Sequence, residues 1–142
     1  MTVWIEPFPK KKRGDEFGNL APYRKGRPHR GLDWSVPEGS PIKAICYGQV
    51  KEVAWSDGLG WYLIHSGDAG KKFVIYAHLK EKPDIAVKTL VHPGETIIGH
   101  VGNTGSLTTG AHLHLSVATT KNVHLAPYDK LVDPAKLFEE SE

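Results

Sequence analysis

Short stretches rich in β-branched and aromatic residues recur along the chain, at residues 41–55, 61–65, 73–79, 96–101 and 112–118, and clusters of Gly, Pro, Asn and Asp separate them. The pattern predicts a mostly β fold of short antiparallel strands. In the last stretch, polar and apolar positions alternate: Leu113, Leu115 and Val117 are directed to a core, while His112, His114 and Ser116 share the opposite face. Residues 56–60 and 66–70 read as hairpin turns that use glycine where φ is positive. Only residues 133–138 look helical, with Asp133 as cap and Pro134 in the first turn. Residues before Phe17 show no periodicity, although Trp4, Ile5 and Phe8 are suited to pack on the body as a strap.

With 142 residues and 39% apolar content, there is material for one real core and little beyond it. The whole chain, 1–142, is therefore expected to be a single domain, with 1–16 as a strap or flexible arm and 17–138 as the functional body. A net charge of +2 is too small to argue for nucleic acid, and no arginine-rich or base-stacking motif accompanies it. The basic run at residues 10–13 reads as a solvated arm. Cys46 is the only cysteine, so no intrachain disulfide can form, and its apolar neighbours mark it as a buried small side chain. No segment is long enough to span a bilayer, and the first residues lack a charged leader followed by an apolar run.

The histidines carry the chemistry. His112 and His114 stand side by side on one strand face. His29 and Asp33 share parity along an extended segment in which Pro28, Gly31 and Pro37 argue against a helix, and Gly31 permits close backbone approach. Together with one imidazole from the strand, they make two nitrogens and one carboxylate oxygen, the donor set of a catalytic zinc that keeps its fourth position open. Residues two apart on a strand are roughly 6.5 to 7 Å apart, so a division of labour between His112 and His114 is expected: one binds metal and the other serves as base or oxyanion donor. Spacing alone leaves open which does which. His78, ending an apolar strand, is a second base candidate.

Taken in order, residues 17–18, 29–33, 37–41, 48–50, 76–79, 94–99, 102–105 and 110–114 resemble the lysostaphin-type, LytM-like zinc endopeptidases that cut the peptides of bacterial peptidoglycan. The resemblance implies antiparallel sheets forming a sandwich or half-barrel with an open substrate groove and a short C-terminal helix. It implies one zinc ion held by His29, Asp33 and His114, with His78 and His112 as the catalytic pair. Among groove residues, Trp34 follows Asp33 directly, Asn103 lies in the turn before the His-x-His strand, and Tyr76 precedes His78 by two positions; all three are expected to line the substrate path. Family members commonly carry Phe and Glu after His-x-His. Here Leu115 and Ser116 stand instead, a change expected to alter packing beneath the site without touching a ligand.

The expected partner is the peptide portion of bacterial peptidoglycan, met by a monomer without nucleic acid or membrane insertion. Compactness and the missing leader suggest a phage lysin released through another factor, or export by an unrecognised route. Two rivals come from other classes: a catalytically inactive relative that binds wall peptides or activates a partner hydrolase, and a phosphoryl-carrying or biotinyl-type β domain. Retention of all five residues speaks against the first, and His29 with Asp33 would have no task in the second. His65, His92, His100 and His124 lack ligand spacing and read as ordinary surface or rim residues.

Overall fold

The computed structural model describes residues 2–141. Its strands are β1 (Leu32–Trp34), β2 (Pro41–Lys43), β3 (Gly48–Ser56), β4 (Gly60–Gly67), β5 (Lys72–Leu79), β6 (Leu90–Val91), β7 (Ile97–His100), β8 (Leu113–Ala118) and β9 (Leu131–Val132), followed by helix α1 (Pro134–Glu140). One antiparallel sheet runs β1-β8-β5-β4-β3-β6, with β9 sharing the outer edge of β8 with β1. β2 and β7 form a separate ribbon. The sheet curls into a half-barrel around a core that includes Leu32, Trp34, Ile42, Leu63, Val74, Tyr76, Leu113 and Leu115, and Phe138 of α1 joins it. Asp133 caps that helix by accepting from the Ala135 amide at 3.0 Å.

The strand expected over residues 41–55 is two strands. Between them Ala44, Ile45 and Cys46 are consecutively buried, so the alternation of a one-sided strand breaks where the chain leaves the ribbon for the main sheet. Backbone groups at this corner find partners elsewhere: Ile45 accepts from the Ile5 amide at 2.7 Å, and Ala44 donates to Thr96 at 2.9 Å. At Gly48 a Cβ would collide with the Ser66 carbonyl, so only glycine lets β3 begin there. Trp4 is buried in the main core and Phe8 packs against it, whereas Ile5 is exposed.

His65 is a correction to the sequence reading. It is completely buried, not a surface or rim residue, because it completes a polar chain that pins the same corner. The Ile45 amide donates to the Tyr76 hydroxyl at 3.0 Å, that hydroxyl donates to His65 Nε2 at 2.8 Å, and His65 Nδ1 donates to the Ser66 carbonyl at 2.8 Å. Tyr76 is spent in this chain too, with no exposed surface, so it does not line a groove. Burial pushes the His65 imidazole down to about 4. Below the unfolded value of about 6.5, the unfolded chain takes up a proton that the native state refuses, so stability falls as pH drops from about 6.5 to about 4. The expected loss is about 3 kcal/mol from this group. Urea unfolding at pH 7 and pH 4.5 reads it, and His65→Gln is expected to flatten that part of the dependence; an unchanged slope would disprove the assignment.

Candidate functional site

β1 and β8 build the first half of the site. Their register sets Asp33 opposite His114, so both side chains emerge on the same face. His29 lies outside any strand and is fixed by the backbone of the preceding loop: its amide donates to Asn19 at 3.0 Å, and its carbonyl accepts from Gly18 at 2.9 Å. Gly31 lets that approach happen, because a Cβ there would strike the Leu115 carbonyl and the Ser116 hydroxyl. The result is three donor atoms within 4.8 Å of one another. His29 Nε2 is 3.3 Å from His114 Nδ1 and 3.4 Å from Asp33 Oδ1, and His114 Nδ1 is 2.9 Å from Asp33 Oδ1.

A tetrahedral ion with arms of about 2.0 to 2.1 Å sets its ligands roughly 3.3 Å apart. The donor set fits it in both chemistry and spacing. Burial by itself would raise the Asp33 carboxyl, but the imidazoles of His114 and His29 outweigh it and hold the group well below the usual carboxylate range. Asp33 therefore stays ionised, as a metal ligand must.

His78 and His112 form the second half. Their ring centroids are 5.0 Å apart, and His78 is 6.3 Å from the His114 ring. His78 adopts a left-handed backbone with φ of 59°, uncommon for a residue with a side chain, and its amide donates to Leu59 at 2.8 Å. Its Nδ1 donates to the Thr104 carbonyl at 2.7 Å, which leaves Nε2 as the free lone pair. Burial pushes this imidazole down to about 4, so it is neutral at pH 7. His112 Nδ1 lies 2.8 Å from the Gly110 carbonyl, an acceptor only, which likewise frees Nε2.

Two tied loop pairs flank the cluster. On one side the segment carrying His29 is joined to residues 119–130, through Arg30 to the Ala126 carbonyl at 2.6 Å and through stacking of Phe17 on Tyr128 at 5.3 Å. On the other, Ser106 and Leu107 donate to Asp57 and Gly58, and the Thr104 hydroxyl accepts from Trp61 and donates to Leu79. Two surface cavities, of about 180 Å³ beside His100 and about 360 Å³ beside Tyr47, include none of these site residues. Within the cluster His29 and His78 are buried, whereas His112 and His114 keep part of their surface exposed.

Two expectations fail here. Trp34 has no exposed surface: its ring packs on Phe138 and its Nε1 donates to Glu6 at 2.8 Å, because side chains alternate along β1 and Asp33 takes the site face. Ser116 does touch one of the three clustered donor residues, with Oγ 2.9 Å from His114 Nε2. The parity that placed Ser116 on the histidine face was the available signal. Thr104 carried none, since its role depends on a loop closing against β4 and β5. Asn103 is exposed in that loop, with Oδ1 accepting from Thr108 at 2.7 Å.

An antiparallel half-barrel that presents two histidines and an aspartate beside a histidine pair is the arrangement of a metallopeptidase. Residues 27–127 match the model of Peptidase family M23, and the chain belongs to that family. It is 35% identical over 115 residues to a metalloprotease of Haemophilus influenzae, covering 76% of this chain and 21% of that protein. To lysostaphin of Staphylococcus simulans it is 34% identical over 114 residues, covering 78% and 22%. The lysostaphin catalytic domain superposes with a TM-score of 0.77 at 29% identity, over 90% of this chain and 92% of that one. A zinc-containing peptidase from Vibrio cholerae gives 0.73 at 28%, over 93% and 39%. The chain spans about a fifth of the length of those two sequence relatives.

Proposed function

We propose that this chain is a zinc-dependent endopeptidase that hydrolyses peptide bonds of bacterial peptidoglycan, with His29, Asp33 and His114 holding the metal and His78 and His112 completing the catalytic site. The observation that carries this reading is the convergence of one carboxylate oxygen and two imidazole nitrogens at tetrahedral spacing, on the scaffold of Peptidase family M23. Zinc bound there supplies Lewis acidity that activates water and polarises the scissile carbonyl.

The protein's own residues do the rest. With Nδ1 committed to a carbonyl, His78 and His112 each present Nε2 to the reacting centre. One accepts the proton of the attacking water at Nε2, and its protonated form returns it to the leaving amine; the other, in its doubly protonated form, donates Nε2–H to the oxyanion while Nδ1–H keeps its carbonyl. The surface between the two tied loop pairs accommodates an extended peptide strand in this reading, with the exposed Asn103 beside its backbone. The functional unit is residues 17–138, with residues 2–16 packed against it.

Digestion of purified cell walls tests the proposal directly. Soluble fragments with new amino termini and no new reducing sugar ends are expected, and mass spectrometry of those termini identifies the bond cut. New reducing ends without new amino termini would overturn it in favour of glycan cleavage.

A further inference from the structure

Ser116 sits at the bottom of the site, 4% exposed, with its hydroxyl between two groups that together dictate its proton. The Arg30 carbonyl, 3.1 Å away, can only accept, so the Ser116 hydroxyl donates to it. The remaining contact, His114 Nε2 at 2.9 Å, must then be the donor. His114 is thereby held with its proton on Nε2, so that Nδ1, 2.9 Å from Asp33 Oδ1, is the nitrogen that faces the carboxylate and any cation shared with it. The same logic applies across the site: the Glu16 carbonyl, 3.1 Å from His29 Nδ1, can only accept, so His29 Nε2 is a lone pair. His29 Nε2, His114 Nδ1 and the Asp33 oxygen lie within 4.8 Å of one another.

We infer that Ser116 is a positioning residue for the metal, its hydroxyl relaying from His114 Nε2–H to the Arg30 carbonyl and so fixing His114 to ligate through Nδ1. The inference rests on the zinc reading above. It adds which atom of which histidine faces the metal and what keeps it there. Arg30 is itself anchored, with its guanidinium donating to the Val123 and Ala126 carbonyls at 3.3 and 2.6 Å. The relay therefore ends on a residue whose side chain is tied to residues 123–126. A hydroxyl orients the imidazole with less charge than a carboxylate, so the ring stays a neutral ligand without a second anion beneath the metal.

The test uses the full chain, its zinc-loaded and chelated forms, and long-range proton–nitrogen NMR correlations of the histidine rings. Zinc-loaded wild type is expected to show His114 protonated at Nε2 and metal-bound at Nδ1, and His29 metal-bound at Nε2. Ser116→Ala is expected to weaken zinc about 10- to 100-fold in competition with a chromophoric chelator, and its chelated form to show mixed His114 tautomers. Val117→Ala, a cavity on the opposite face of β8, controls for loss of packing and is expected to leave zinc affinity within about threefold of wild type, far from the loss expected when His114 loses its hydroxyl partner. Metal on His114 Nε2 overturns the inference and leaves the zinc reading standing, as does a Ser116→Ala affinity equal to that of Val117→Ala. Wild type that takes up no zinc, with ring signals indifferent to the metal, overturns both.

Discussion

His112→Ala is expected to keep its zinc and to lose about 10²- to 10⁴-fold in turnover, the range for a positioned proton-transfer group. Metal retention follows from geometry: the three converging donors belong to His29, Asp33 and His114, and His112 contributes none of them. Structural tolerance follows from its place just before β8, where its amide donates to Gly102 at 3.3 Å through the backbone and its ring is only half-buried. His78→Ala is expected to cost a similar factor, and the double variant little more than either single, since residues acting as a unit are not additive. Turnover within a few-fold of wild type, at full zinc occupancy, would remove His112 from the catalytic pair. Loss of zinc together with activity would instead place His112 among the groups that hold the site together.

The sequence made the strand content and the chemistry readable for the same reason: alternation in β8 declares both the core face, through Leu113, Leu115 and Val117, and the site face, through His112, His114 and Ser116. Glycine requirements were readable where backbone approaches backbone, as at Gly31. What stayed hidden depends on contacts between distant segments. His65 has no neighbour in sequence that reveals the Tyr76 hydroxyl or the Ile45 amide, so its burial emerges only when β4, β5 and the corner after β2 meet. Trp34 was misread because adjacency to Asp33 in sequence is opposition on a strand. Ser116 was on the correct face, but its role needed the Arg30 carbonyl, 86 positions away.

Removing zinc is expected to lower the melting point by roughly 10–15 °C, the shift that about 4 kcal/mol of ligand stabilisation produces in a domain of this size when free metal is about a thousandfold above its dissociation constant. The ligands are remote in sequence, with 85 positions between His29 and His114 and 81 between Asp33 and His114, so the unfolded chain offers no comparable site. All of the binding free energy therefore favours the folded state. Removal of zinc also leaves the two imidazoles and the Asp33 carboxylate crowded within 4.8 Å without the ion they share. Scanning calorimetry with and without chelator measures the shift, and His29→Ala should melt near the chelated wild type and ignore the chelator. If wild type and His29→Ala both melt at the same temperature whatever the metal supply, these three side chains do not share an ion.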